Sequence, residues 1–308
     1  MGKGKNSMNI RKILASVAFV FGTAAIVLSQ QTPPPPAGAP GAPGPGRGRG
    51  GGGFRQPDPI DFNDHSGWTQ MFDGSTLNGW DGDFTYWRVE NGAIVTESTC
   101  EKPTGTIYLV WKGGEAADFE MKLEMKGEGA MVNSGVQYRG AILPPRPAAA
   151  PGAAGPGGRG RGPQGPCPSG QPRGTPPSRE SQAKWDMLGA QFDFDGQNRY
   201  TGQYYEQATG RGIIAWRGQV VRTEEGKSPR LLATLGDKDE LGGYVKIDDW
   251  NQLHIIARGN TMTHIVNGHV MSVLIDDDPT KVRKSGIIGF EIEGTGKINI
   301  RDIWLKKL

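Results

Sequence analysis

The sequence predicts an all-β protein built as a two-sheet antiparallel sandwich. Short runs that alternate apolar and polar residues recur through 60–140 and 184–308, which is the pattern of half-buried strands. Gly, Asn and Asp separate these runs, and no amphipathic stretch of three helical turns interrupts them. The two segments together hold about 206 residues, which is enough for one domain with a sizeable core.

Nine alternating runs are predicted to be strands. One of them, 261–266, is followed by Asn267-Gly268 and then by further alternating residues, 269–271. This pair favours the type I′ turn of a tight β-hairpin. The predicted strands are 93–95, 119–125, 135–139, 191–194, 212–216, 252–257, 261–266, 287–292 and 298–305.

Residues 1–29 are predicted to be an export signal. Four basic residues precede an apolar core of 16 residues, Ile13 to Leu28, which is short for a membrane span. Val27-Leu28-Ser29 offers a cleavage site. We therefore expect an exported protein, periplasmic or extracellular. The alternative is a retained N-terminal anchor, which would be the protein's one contact with a membrane.

Two Pro/Gly-rich segments, 30–59 and 141–183, hold 20 of the 23 prolines. Such segments cannot bury enough apolar surface to offset the entropy lost on ordering, so both are predicted to be disordered. The first is a linker, and the second is an insertion that interrupts the single sandwich domain, 60–308. We expect the insertion to be a passive loop, with a mobile lid as the alternative.

The charge distribution argues against a nucleic-acid partner. The whole chain has a net charge of +3. The signal, the linker and the insertion together carry about +10. The remaining part is therefore near −7, whereas nucleic-acid-binding domains place positive charge on the folded face.

Cys100 and Cys167 are the only cysteines. Export would permit a disulfide, but the position of Cys167 in the insertion argues against a fixed bridge, so the sequence leaves their pairing open. No Cys-x-x-Cys or Cys/His cluster indicates zinc.

Three predicted strands carry a polar stripe opposite an apolar one, because successive side chains in a strand point to opposite faces. If these strands share one sheet, their polar stripes line one cleft. The stripes are Gln137 with Arg139, Gln191 with Asp193 and Asp195, and Glu291 with Glu293.

Aromatic and charged residues follow in the segment 204–211, which contains Tyr204, Glu206 and Arg211, and Trp216 lies just beyond it. Aromatic faces beside carboxylates and a guanidinium suit a sugar, because C–H groups pack on rings while hydroxyls bond to charged partners. An ordinary solvated sheet face is the alternative. Gln191 stands where sandwich-type glucanases carry a nucleophilic Glu, and an amide cannot serve as one.

Several motifs resemble the DUF1080 family, also called 3-keto-disaccharide hydrolase domains. The resemblance covers roughly 68–308 apart from the insertion, and it rests on the order and spacing of the motifs together. The matching segments are Phe72 to Trp80, Trp87 to Ile94, Asn133 to Arg139, Trp250-Asn251, Gly259-Asn260, Asn267-Gly268 and Arg301 to Ile303.

The resemblance implies a concanavalin A-like jelly roll and cleavage of 3-keto-glycosides. In that reaction a base removes the proton on C2, the C1 substituent departs by elimination, and water adds. The family's Q-x-H-x-G region reads Glu291-Ile292-Glu293-Gly294 here, without the histidine. This departure keeps a rival interpretation open, a non-catalytic carbohydrate-binding module that holds glycans without cutting them.

We predict Asp193 or Glu206 as the base and Arg139 as the group that stabilises the enolate. A divalent metal ion could share the second role, although the sequence fixes no ligand set and no other cofactor. An oligosaccharide or glycoside is the expected substrate. The predicted substrate-binding residues are Gln137, Gln191, Tyr204, Arg211, Trp216, Glu291 and Glu293.

Overall fold

A computed structural model describes residues 57–144 and 166–308. The predicted signal 1–29 lies outside these residues, as do all but the last three residues of the linker and 145–165 of the insertion. Within the described part, no helix is long and apolar enough to cross a membrane.

Strands account for nearly all of the regular structure, as predicted. In chain order the elements are β1 (Thr69–Gln70), β2 (Trp80–Gly82), β3 (Arg88–Glu90), β4 (Ala93–Ser98), β5 (Ile107–Trp111), β6 (Phe119–Ile142), α1 (Arg179–Gln182), β7 (Met187–Asp195), β8 (Tyr204–Gln207), β9 (Gly212–Ala215), β10 (Gln219–Glu224), β11 (Arg230–Thr234), α2 (Lys238–Gly242), β12 (Asn251–Arg258), β13 (Thr261–Val266), β14 (His269–Asp277) and β15 (Ile287–Lys307).

Two long strands, β6 and β15, run through both layers of the sandwich. The sequence predicts two separate strands in each of these regions, and the structure joins each pair into one continuous strand. The beginning of β6 pairs with β12 and with the end of β15, in the sheet ordered β11-β10-β14-β13-β12-β6-β15-β4-β3. The end of β6 pairs with β7 and with the beginning of β15, in a second sheet ordered β9-β8-β7-β6-β15-β5-β2. The jelly-roll sandwich is thus confirmed. One pair, β10 with β14, is parallel.

Glycines make the bend that carries β6 and β15 from one sheet to the other. Gly294 has a φ of +81°, and a Cβ there would lie 2.1 Å from the carbonyl oxygen of Met131. Gly296 has a φ of +144°, and its Cβ would lie 2.5 Å from the carbonyl oxygen of Glu128. The two backbones approach this closely because neither position carries a side chain.

The core between the sheets contains a buried polar link. The hydroxyl of Tyr138 lies 2.8 Å from Nε2 of His264, and Nδ1 of His264 lies 3.2 Å from the carbonyl oxygen of Gln203. A carbonyl only accepts, so Nδ1 carries the proton and Nε2 accepts from Tyr138. Burial lowers the pKa of His264 to about 3, so the ring is neutral.

The described part of the insertion is ordered, which corrects the prediction of disorder for 166–183. Residues 179–182 form α1, whose N-cap Ser178 accepts a hydrogen bond from the amide of Ser181. Cys167 forms a disulfide with Cys100, the pairing that the sequence left open. The bridge fixes this segment to the loop before β5.

The predicted hairpin is present between β13 and β14. Asn267 and Gly268 have φ angles of 48° and 82°, as a type I′ turn requires.

The bend provides a stability test. We expect Gly294→Ala to destabilise the protein by about 1–3 kcal/mol more than Gly268→Ala, because the new methyl group meets the backbone of Met131. Gly268 is the matched control, since its φ of +82° is almost the same and nothing lies within 4 Å of its Cβ position. Urea unfolding midpoints measure the difference, and equal midpoints would contradict a steric role for the bend.

Candidate functional site

The outer face of the second sheet holds a polar cleft of about 320 Å³. Its volume lies in the range of small-molecule sites, about 300–1,000 Å³. This cavity is called the cleft below. Its lining residues are Asn133, Gln191, Asp193, Tyr200, Gln203, Tyr205, Gln207, Ile213, Trp216, Glu291 and Glu293.

A glycine shapes the floor of the cleft. Gly135 on β6 pairs with Glu291 of β15 on one side and with Asp193 of β7 on the other. A Cβ at Gly135 would lie 2.3 Å from Nε2 of Gln191, so the missing side chain gives the Gln191 amide its space. Gln191 Nε2 donates a hydrogen bond to Glu291 Oε2, and Gln137 Nε2 donates to Gln191 Oε1 at 3.1 Å.

Asp193 is a buried carboxyl group in this floor. Its Oδ2 accepts a hydrogen bond from Nε2 of Gln203 at 2.6 Å. Burial raises the pKa of Asp193 well above 3.8, the negative charges of Glu291 and Asp195 raise it further, and the bond from Gln203 opposes the shift. Such a displaced pKa in a cleft is a feature of candidate acid–base groups.

Glu291 is also hydrogen-bonded. Its Oε1 accepts from the hydroxyl of Tyr108 at 3.3 Å, and that hydroxyl accepts from Gln207 Nε2 at 2.9 Å. Burial raises the pKa of Tyr108 well above 10, with the charge of Glu291 adding to the shift, so the phenol remains a donor.

The turn between β7 and β8 places Tyr200 and Gln203 in the cleft. Core residues hold this turn from behind: His264 donates to the carbonyl of Gln203, and the Ser272 hydroxyl donates to the carbonyl of Gly202 at 2.8 Å. Burial, with the nearby charge of Asp195, raises the pKa of Tyr200 to about 12, so its hydroxyl keeps its proton at neutral pH.

Apolar surface borders the polar floor. Tyr205 and Ile213 are half-buried, and Trp216 is 53% exposed at the rim. An exposed indole beside carboxylates and amides can stack on the C–H face of a sugar while the polar groups bond its hydroxyls. The arrangement is therefore suited to a small polyhydroxylated ligand.

Half of the predicted site residues meet in this cleft. Gln137 contributes through its bond to Gln191, without lining the cleft. The predicted residues that line it are Gln191, Asp193, Trp216, Glu291 and Glu293, and the lining residues that the prediction missed are Asn133, Tyr200, Gln203, Tyr205, Gln207 and Ile213.

Arg139 lies elsewhere, which corrects its predicted place beside Gln137. The register of β6 against β7 shifts after Tyr138, and Arg139 has a φ of 45°, so the alternation breaks there. Its buried guanidinium donates to main-chain carbonyls of Ala117 at 2.9 Å and Gly259 at 2.7 Å, and pairs with Asp118 at 3.1 Å. Arg139 therefore ties loops together.

Tyr204, Glu206 and Arg211 point toward the core side of β8 and not into the cleft, which corrects a second prediction. Tyr204 stacks on His264 with ring centroids 5.6 Å apart. Arg211 lies 3.2 Å from Glu206 and 2.8 Å from Asp276, so its guanidinium pairs with both carboxyl groups away from the cleft. Burial raises the pKa of Glu206, and the charge of Arg211 opposes that shift. The cleft-facing residues of β8 are Tyr205 and Gln207.

A resident metal ion does not fit the described donor groups. In residues 57–144 and 166–308, no group of three or more His, Cys, Asp or Glu side chains is placed to hold one. We therefore assign no step to a metal.

Comparison with known proteins decides the family. Residues 67–306 match the family described as the 3-keto-alpha-glucoside-1,2-lyase-like domain. The chain belongs to this family. This match confirms the resemblance seen in the motifs and supports a carbohydrate-active protein. Among curated proteins, none matches the chain.

Several solved structures are similar to this lyase-like domain. A provisionally assigned glycosyl hydrolase of Parabacteroides distasonis is 16% identical, with 79% of this chain and 94% of that chain covered and a TM-score of 0.44. The module CBM66 of Bacillus subtilis is 9% identical, with 74% and 96% covered and a TM-score of 0.42. A Bacillus subtilis protein with a galectin-like fold is 11% identical, with 75% and 90% covered and a TM-score of 0.45. Because the identities are 16% or less and the TM-scores are below 0.5, we draw no conclusion about function from these similarities.

Arg139 provides a test of the corrected assignment. We expect Arg139→Met to destabilise the lyase-like domain by about 1–3 kcal/mol, since the carbonyls of Ala117 and Gly259 and the carboxylate of Asp118 lose the donors of a buried guanidinium. Arg222→Met is the control, because this exposed residue pairs only at the surface with Asp277 and should cost less than about 1 kcal/mol. Urea unfolding measures both. If the Arg139→Met protein is stable but no longer binds sugar, the structural role is wrong and Arg139 belongs to the functional site.

Proposed function

We propose that this protein is exported and cleaves glycosides of 3-keto sugars by elimination followed by hydration. The observation that carries the proposal is the buried carboxyl group of Asp193 in the cleft, with its raised pKa and its bond from Gln203. Within 57–144 and 166–308, no Lys or Arg is among the residues that line the cleft. Three carboxyl groups there favour a ligand rich in O–H donors, as sugars are.

Asp193 is the proposed base. The ketone at C3 acidifies the proton on C2, and the ionised carboxylate takes that proton. The electron pair of the C2–H bond forms the C1–C2 double bond as the bond from C1 to the leaving oxygen breaks. Asp193 then passes the proton to this oxygen. Water adds across the double bond, with its oxygen on C1 and a proton on C2, and gives the free 3-keto sugar.

The negative charge that develops on the C3 oxygen needs a donor. Arg139 does not supply this donor, because its guanidinium is bonded to Ala117, Gly259 and Asp118, away from the cleft. The Tyr200 hydroxyl is the proposed replacement: it lines the cleft, and with a pKa of about 12 it stays protonated.

The disulfide supports export. Cys100 and Cys167 are bonded, and structural disulfides persist in oxidising compartments such as the periplasm or the extracellular space. This agrees with the predicted signal at 1–29.

Asp193→Asn tests the proposed base. We expect kcat/KM for release of 3-keto-glucose from a 3-keto-disaccharide to fall by about 10²–10⁴-fold, since Asn keeps the shape and cannot take a proton. Asp81→Asn on β2 of the same sheet is the control and should retain activity. If the unaltered protein binds the disaccharide and releases nothing, the carbohydrate-binding alternative replaces the enzyme.

The same variant has a predicted pH signature. Because the folded-state pKa of Asp193 is raised, the unaltered protein loses stability as the pH rises from about 4 through that pKa. Asp193→Asn lacks this penalty, so its melting temperature should exceed that of the unaltered protein at pH 8 and match it at pH 4. The kcat/KM of the unaltered protein should rise over the same pH interval, as Asp193 becomes ionised. A constant melting-temperature difference from pH 4 to 8 would contradict the buried, raised-pKa state.

A further inference from the structure

A second cavity adjoins the cleft along the same side of the sheet. It has a volume of about 620 Å³, and it shares Gln207 and Glu293 with the cleft. We call it the side groove. Its lining residues are Pro103, Gly105, Thr106, Leu143, Pro176, Pro177, Arg179, Gln182, Asp186, Gln207, Ala208, Glu293, Gly294 and Thr295.

The ordered part of the insertion builds one wall of the side groove. Residues 176–186 contribute Pro177 and Gln182 to that wall. Three contacts fix the segment in front of them to the loop before β5: the Cys100–Cys167 disulfide, a bond from the amide of Gly174 to the carbonyl of Cys100 at 3.0 Å, and a bond from the Ser169 hydroxyl to Glu101. A wall held at several points can present a shaped surface.

The wall presents a buried acceptor to the side groove. Gln182 is 6% exposed, and its Nε2 donates to Asp83 at 3.0 Å. Its Oε1 is buried and has no hydrogen-bond partner among the described residues. A buried amide oxygen is costly unless something bonds to it, and a ligand hydroxyl would supply that bond.

The other lining groups fit a neutral sugar. Pro103 and Pro177 offer half-buried apolar rings for C–H groups, whereas Thr106, Asp186 and Gln182 offer hydrogen-bonding groups for hydroxyls. The shared residues Gln207 and Glu293 make the side groove continuous with the cleft.

We propose that the side groove binds a further sugar residue of the substrate, next to the one in the cleft. The inference rests on the proposed function and adds to it a second subsite, so that disaccharides and longer chains are preferred over glycosides with a small alkyl group. The described part of the insertion, 166–183, is then more than a passive loop, because it supplies one wall of a binding subsite.

Substrate length tests the subsite. The probes are methyl 3-keto-glucoside and the 3-keto forms of maltose, maltotriose, cellobiose and cellotriose. We expect kcat/KM to rise about tenfold or more from the methyl glycoside to one of the disaccharides or trisaccharides, which corresponds to about 1.4 kcal/mol of added contacts. Turnover of the methyl glycoside reports on the proposed function, and the gain with length reports on the side groove.

Two variants assign the gain to the wall. Gln182→Met removes the Oε1 acceptor together with the bond to Asp83 and leaves the disulfide intact, whereas Cys100→Ser with Cys167→Ser removes the covalent one of the three contacts that hold the wall. Both should lose the length gain while turnover of the methyl glycoside stays within about twofold of the unaltered protein. Glu180→Gln, on the exposed side of α1, is the matched control and should keep the gain.

The outcomes separate the two proposals. Turnover without a length gain, or a gain that Gln182→Met retains, overturns the side groove and leaves the proposed function standing. If no probe is cleaved, dissociation constants for the same series replace kcat/KM. A tenfold gain in binding that Gln182→Met loses then supports the subsite in a non-catalytic module. Absence of binding overturns both proposals.

Discussion

The pairing of β6 with β15 through their shared bend is the constraint on which the rest of the structure depends. These two strands belong to both sheets, so their register fixes how the sheets face each other. The same register places Glu291 beside Gly135, and β7 adds Asp193 on the other side. The carboxyl groups thus face one cleft because two long strands stay paired past a bend that only glycines permit.

Two buried groups of charged residues differ in how they are compensated. Between the sheets, Arg211 pairs with both Glu206 and Asp276, as expected of a structural ion cluster. In the cleft, Asp193 is buried near Glu291 and its pKa is raised, and the described lining residues include no Lys or Arg. A fold gains no stability from placing like charges together, so the cleft is where the structure departs from the most stable arrangement. Such a departure is typical of a functional site.

The sequence predicts the regular parts of this structure and not its irregular ones. Alternation correctly assigns Gln191 and Asp193 to one face because β7 is regular through that stretch. It misplaces Arg139 because a bulge reverses the alternation after Tyr138, and nothing local marks a bulge. In β8 both faces are polar, so the pattern does not tell which of Tyr204 and Tyr205 faces the core. The order in 166–183 comes from a disulfide and from contacts distant in the chain, which composition does not record.

The central claim is that sugars bind on the outer face of the second sheet, over Gln191 and Gln203. Side-chain amide resonances in a ¹⁵N-labelled protein, titrated with a 3-keto-disaccharide, test it directly. The account predicts saturable shifts for the amides of Asn133, Gln191, Gln203 and Gln207, with none for Asn267 in the β13–β14 hairpin. Shifts confined to the hairpin or to the first sheet, with the four cleft amides unchanged, would contradict it.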